Sequence, residues 1–479
     1  MMKKLACVVI LAVLSSCEQQ PAFSQWQTPN HSVPIGRGAG TTGFGNVAPG
    51  AAGQPFVSSG AAVDPAFQVL PNSGLANMPA STAKCNNTGG SATPIDCTTA
   101  QLQTMLGFTP LPSVNTQTVN YTITSSDCSK TVQAGTGATG LITVTLPSVS
   151  GFPAGCTVLV VNGDGTRGKK LSGFPTPLPA NNILWPTQSI GVQIINGAWA
   201  TIYNPPRWLP SSIPTFNVDN SLGSDSNDGL AAGSGALATI GKCTALAYQA
   251  IDPAAVNQVV CSPLNGQTYQ EFVAVFYPMG FGATLQINGN GGAFTWKPIN
   301  SGYALQFGDG ALVGLSNVSF LSTGVTTPQG LIFGHNFGVL DINAGVTVSG
   351  GVNTQNAITC DFDTHFNINN GLTVAGTFNS VFSSNGCKNA TYAISNTLMF
   401  SGTPALAQLF TLLSNTKIAL SGNVTFSGAV AAGMRKYFVS GNSTLDNASG
   451  NGNIPGSVAG VTQAGGQYCD GGTAPASPC

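Results

Sequence analysis

Four segments near the C-terminus of this chain restart every 26 residues, at Ile342, Ile368, Ile394 and Leu420. Stacked, they form columns: Ile342, Ile368, Ile394 and Leu420; then Val346, Leu372, Leu398 and Val424; then Val348, Val374, Phe400 and Phe426. Between the last two columns lie Thr347, Thr373, Met399 and Thr425, so apolar and mostly polar positions alternate as in a strand with one face inward. Asn343, Asn369, Ser395 and Ser421 occupy a corner where polar side chains can bond turn backbone. An earlier unit, Leu315 to Phe320, is one residue shorter at that corner. A unit this short buries its apolar face only against its neighbours, so several must stack. Leucine-rich horseshoe spacing is missing, and a propeller blade needs roughly 40 residues. A two-layer antiparallel sandwich is the alternative that so regular a recurrence disfavours. The fold class expected is all-β, a parallel β-helix.

Only 6% of residues are charged, 15 basic against 16 acidic, which leaves no basic field for nucleic acid and no acidic tail. After the N-terminus no apolar run is long enough to span a bilayer. Residues 1–24 read as a targeting segment, with Lys3 and Lys4 before the apolar run Leu5 to Leu14. Leu14-Ser15-Ser16-Cys17 resembles a bacterial lipobox, which would make Cys17 a lipidated N-terminus; Ala22-Phe23-Ser24 before Gln25 is the competing ordinary cleavage site. The expected location is exported: an outer-membrane lipoprotein, periplasmic or extracellular, touching membrane only through that anchor. Beyond Cys7 and Cys17, ten of the 12 cysteines fall as sequence neighbours: Cys85 and Cys97, Cys128 and Cys156, Cys243 and Cys261, Cys360 and Cys387, Cys469 and Cys479. Five local disulfides are the simplest connectivity in an oxidising compartment. No Cys-x-x-Cys pair or Cys/His cluster supports zinc.

Residues 25–116 are rich in Gly, Ala, Pro, Ser and Asn and read as an extended stalk with one short helix, Thr98 to Leu106. Residues 117–204 carry short strand patterns and the hairpin signal Asn196-Gly197, predicting a small β-sandwich stapled by Cys128 and Cys156. Residues 205–215 read as a stiff proline-bearing linker, 216–447 as the β-helix and 448–479 as a Gly-rich tail. The β-helix opens with the strand at Phe216, the turn Gly223-Ser224-Asp225-Ser226-Asn227-Asp228-Gly229, an amphipathic helix from Thr239 to Ile251, a strand at Val256 to Cys261, and Gly266-Gln267-Thr268-Tyr269-Gln270-Glu271. That order resembles the start of right-handed parallel β-helix proteins of the pectin-lyase-like superfamily, whose short helix caps the open coil. The resemblance implies that a Cys243–Cys261 bridge pins the cap. Lys84 to Gly90 before the short helix, and Gly151 to Cys156 with Ile183-Leu184-Trp185-Pro186, are similar to modules of phage and prophage tail-fibre proteins. A tailspike-like plan carries the expectation of a homotrimer.

The sharpest polar set is Asp361-Phe362-Asp363-Thr364-His365, which as a strand would put both carboxylates and the imidazole on one face. His335 lies 26 residues before Asp361, one coil away. His335, Asp361, Asp363 and His365 are therefore the candidate catalytic residues. Paired carboxylates could divide acid and base roles, or hold calcium with further oxygen ligands; the plainer reading is a solvated corner. Lys388 is the only nearby cation and falls in register with Phe362 rather than a carboxylate, so stabilisation of developing anionic charge is poorly supplied. Glu271 reads as structural, Asp225, Asn227 and Asp228 as a turn, and Arg167, Lys169 and Lys170 as a solvated edge. Trp185, Trp199, Trp208 and Trp296 could stack on sugar rings, although core burial is the commoner fate. No cofactor or metal site is expected. The functional expectation is a non-enzymatic surface protein that binds cell-surface or extracellular glycan through its β-helix. The alternative is a polysaccharide lyase or glycoside hydrolase.

Overall fold

The computed structural model describes residues 32–36, 44–52, 54–57, 65–68, 82–92, 95–106, 113–135, 141–175, 182–299, 302–324, 329–351, 354–384, 390–421, 423–448 and 454–470. The targeting segment with Cys17, and Cys387, Lys388 and Cys479, lie outside the described residues. The chain divides into two compact units, Met1–Leu111 and Pro112–Cys479.

In the first unit the described residues form short antiparallel ladders. Val33–Gly36 pairs with Phe44–Val47, Phe56–Val57 with Ala66–Phe67, and Ala83–Cys85 with Ile95–Cys97. Cys85 and Cys97 are bridged. The expected helix is present over Thr99–Met105, started by Thr98 and Gln101, which cap each other's backbone N–H groups.

The second unit begins with two facing sheets, wound in an unexpected way. Val114–Gln117, Lys130–Ala134 and Thr157–Asn162 pair side by side in parallel, and Tyr121–Thr122, Thr143–Thr145 and Lys169–Ser172 do the same in the other sheet. The chain thus alternates between sheets for three rungs before closing antiparallel with Ser189–Ile195 and Ala198–Tyr203. At the hairpin tip Asn196 and Gly197 take φ of 51° and 75°, the left-handed pair this turn requires. Val132, Val144, Val158, Leu171 and Ile190 fill the space between the sheets, and Cys128–Cys156 staples the rim. Because Val114–Gln117 is already paired, the module starts before Gln117.

From Thr215 the chain winds as a parallel β-solenoid of the right-handed type, about 12 turns in all. One coil reads Val339–Ile342, Val346–Gly350, Asn356–Cys360, and the next starts at His365–Ile368. Each coil lays one strand on each of three faces. The first expected column is a register line: Leu315 pairs with Ile342, Ile342 with Ile368, Ile368 with Ile394 and Ile394 with Leu420. All are buried, each worth on the order of 1.5–3 kcal/mol in apolar transfer. Aromatic residues stack up the core the same way, with Phe366 and Tyr392 at 4.6 Å and 5°. The other two columns hold through the third unit and fail at the fourth. Leu398 pairs with Phe426, not Val424, because the corner after Leu420 is two residues longer. Winding also continues past Asn447, since Thr444–Asn447 pairs with Gln467–Asp470.

The cap is built as expected around the helix Ile240–Ala250, whose Ile240, Cys243, Leu246, Ala247 and Ala250 close the core. Cys243–Cys261 ties it to the strand Gln258–Pro263. Its N-terminal N–H groups are taken by carboxylates: Glu271 accepts from Ile240 and Gly241, each at 2.8 Å, and Asp225 accepts from Ala238 and Thr239. Burial raises the Glu271 pKa even though these N–H groups oppose the shift.

Two expectations fail at the seam between module and solenoid. Residues 205–215 are no free linker: Trp208 bridges to Ile251 and stacks on Trp185 at 5.2 Å and 9°. Arg167 and Lys169 are no solvated edge. Lys169 is fully buried against Asp164 at 2.8 Å, and Arg167 grips the buried Asp228 with two bonds of 3.0 and 3.1 Å. A charge needs its partner nearby in space, and Asp228 stands 61 residues away in sequence.

Candidate functional site

The register that stacks the core also stacks the corners after the third face. The strand Gly330–Gly334 pairs with Asn356–Cys360, which sets His335 beside Asp361. His335 Nδ1 and an Asp361 carboxylate oxygen are in hydrogen-bonding contact. Asp361 Oδ1 also accepts from the Asn336 backbone N–H at 3.3 Å. The Asn336 amide nitrogen donates to His335 Nε2 at 2.8 Å and to Asp309 Oδ1 at 3.2 Å. Both amide hydrogens are thereby spent. Because an amide nitrogen only donates, the Nε2 lone pair of His335 is occupied and Nδ1 is the ring nitrogen that faces Asp361.

Asp363 and His365 are not part of this contact. Asp361 to Thr364 form a turn rather than a strand, with Asp363 at φ 46°, and His365 starts the next face. Alternation therefore ends at Cys360, and the expected single face of carboxylates and imidazole does not form. Among the described residues, neither Asp363 nor His365 makes a side-chain hydrogen bond or ion pair. No group of three or more His, Cys, Asp or Glu residues gathers as a metal site among the described residues. Asp225 and Asp228 spend their oxygens on helix N–H groups and Arg167.

Around the polar knot lies an aromatic surface. Tyr303 and Phe333 stack at 4.9 Å, Phe333 lies over His335 at 6.3 Å, and Phe276 meets His335 edge-on at 6.3 Å. Glycine makes this approach feasible: a Cβ on Gly308 would fall 2.8 Å from the His335 Cβ and carbonyl oxygen. Burial, with the charge of Asp361 adding to it, pushes the Tyr303 hydroxyl up to about 12, so it stays neutral.

Comparison with family models, curated proteins and solved structures returns no match.

Three further aromatics crown the corners at Tyr277, Phe281 and Phe337. They are 67%, 86% and 63% exposed, and all three hold left-handed backbone with φ of 74°, 47° and 58°. Beside them an open groove of about 450 Å³ runs between the capping helix and the strand leading to Tyr277, lined by Thr244, Tyr248, Phe272 and Phe276 among others. The tryptophans are elsewhere: Trp185, Trp208 and Trp296 are buried, and Trp199 donates to the Pro147 carbonyl at 2.8 Å. The sequence signal for the aromatic surface is the spacing of Phe276, Phe333 and His335 on the third face. Alternation alone does not tell which side of a strand such residues occupy.

Proposed function

We propose that this chain is an exported, non-enzymatic surface protein of tail-fibre-like build that binds glycan along the flank of its solenoid. The observation that carries the reading is the set Tyr277, Phe281 and Phe337. A bulky residue in the left-handed region costs on the order of 1–2 kcal/mol, and a bare ring gains nothing from burial. Left-handed residues also turn other corners of the solenoid, at Asp309, Asn317 and Asn336, but rings left largely exposed there are the part that folding does not explain, and exposed rings on a rigid scaffold suit the flat apolar faces of sugars. The disulfides Cys85–Cys97, Cys128–Cys156 and Cys243–Cys261 fit an oxidising, non-cytoplasmic compartment. Assignment to the pectin-lyase-like superfamily, a lipid anchor at Cys17 and a trimeric assembly belong to the same proposal.

The occupied His335 Nε2 favours binding over catalysis. A general base must reach its substrate's proton with a free lone pair, and here that position holds the Asn336 amide. Purified protein incubated with a broad panel of surface polysaccharides should retain at least one glycan and release no new reducing ends or unsaturated products. Cleavage that disappears in Asp361→Asn would overturn the non-enzymatic reading and favour the lyase or hydrolase alternative.

A further inference from the structure

We infer that the surface formed by Phe276, Tyr303, Phe333 and His335, edged by Asp309 and Asp361, takes uncharged hexose units and rejects uronate or sulfated ones. This inference rests on the glycan-binding reading and adds the class of sugar.

The argument is an inventory of donors and acceptors. Both Asn336 amide hydrogens are used, on His335 and on Asp309, and the Asn336 backbone N–H is directed at Asp361. His335 Nδ1 is engaged with Asp361. The charged groups that remain are acceptors, Asp309 Oδ2 and the spare lone pairs of Asp361, joined by the Asn336 amide oxygen; the donors beside them, the Tyr303 hydroxyl and the Gln306 amide, are uncharged. Among the described residues Asp309 Oδ2 has no protein partner. Carboxylates are acceptors only, so the groups they welcome are donors. Sugar hydroxyls supply donors in the plane of the ring while the C–H face lies against the outer side of the Tyr303–Phe333–His335 stack. A sulfate or carboxylate supplies only acceptors and negative charge, and meets repulsion from Asp309 and Asp361. Along this face the pairing Asn356, Ser380, Gln408, Arg435 places the basic side chain of Arg435 three strands beyond the Asn356 strand.

The rings also set a direction. Tyr303 precedes the strand Leu305–Gly308, Phe333 lies on the adjacent strand Gly330–Gly334 with His335 just beyond its end, and the cap groove meets them at Phe276. A chain of several sugars therefore fits better than a monosaccharide.

The test uses the full chain with neutral glucan, mannan and galactan, each beside its own sulfated and carboxymethylated derivative. Binding is read by calorimetry or affinity electrophoresis. The expected result is retention of at least one neutral polymer, weaker by about tenfold or more for its anionic derivatives. Retention should persist in about 0.5 M salt, where charge attraction is screened. Phe333→Ala should weaken binding by about tenfold, and Asp309→Asn should narrow the gap between neutral and anionic forms. Unchanged melting temperatures of both variants would exclude misfolding as the cause. Tighter, salt-sensitive binding of the anionic forms would overturn this inference and leave glycan binding standing. No binding to any polymer would overturn both.

Discussion

Replacing Asp228 with alanine should open the seam between the two-sheet module and the solenoid. The Asp228 side chain is fully buried and Arg167 is 13% exposed, so little solvent screens the pair. Its oxygens accept two bonds from Arg167, one from the Gly168 N–H at 2.8 Å and one from the Leu230 N–H at 3.1 Å. Alanine leaves a guanidinium without its counter-charge and two backbone donors without acceptors. Breaking a buried pair from one side costs about 3–5 kcal/mol, most of it the penalty for the stranded charge. The orphaned N–H groups lie within that sum rather than on top of it. Trp185 and Trp208 stack at the seam, so with Trp26, Trp199 and Trp296 replaced by Phe their fluorescence during denaturant unfolding reports it, while far-UV circular dichroism follows the strands, most of them in the solenoid. The fluorescence transition should move to lower denaturant and separate from the dichroism transition. Adding Arg167→Met should recover part of the loss, because the stranded charge is then gone. A shift under about 1 kcal/mol, the worth of an exposed pair, would refute the reasoning.

Three other outcomes are expected. Cys243→Ser with Cys261→Ser should cost about 2–4 kcal/mol in solenoid stability and speed proteolysis of the cap, measured by unfolding and by limited digestion. Gly308→Ala should push His335 from Asp361, seen as altered ring resonances by NMR, and destabilise the coil by about 1–3 kcal/mol, because the new Cβ meets backbone that cannot yield. Burial alone would raise the Asp219 pKa, but bonds from Ser221, Gln267 and Leu222 outweigh it and hold the group at about 2. Its ionised form thus contributes stability that is complete above about pH 4 and lost as pH falls through about 2. Asp219→Asn should flatten acid unfolding in that window.

The solenoid was legible because its period and its alternation both report burial, and Ile342, Ile368 and Ile394 fall on one register line as their spacing demands. The same logic failed at Phe426, since residue type reports which side chains go inward and not how many residues a corner consumes. The approach of His335 to Asp361 followed from the 26-residue step alone. The roles of Asp363 and His365 did not, because the strand ends at Cys360 and the turn redirects both. In the sequence Arg167 and Asp228 stand apart as a charged edge and a turn, since only the folded chain brings together groups 61 residues distant.

The seam has a mechanical consequence. Hydrogen bonds between coils point along the solenoid axis, so tension applied along that axis loads them one coil at a time, like a zipper. Cys128–Cys156 reinforces the module on one side, and Cys243–Cys261 the cap on the other. Among the described residues no disulfide crosses between them. Arg167, Asp228 and the paired indoles are therefore the non-covalent link between two covalently stapled neighbours, and a pull along the axis should strain that link where no bridge shares the load.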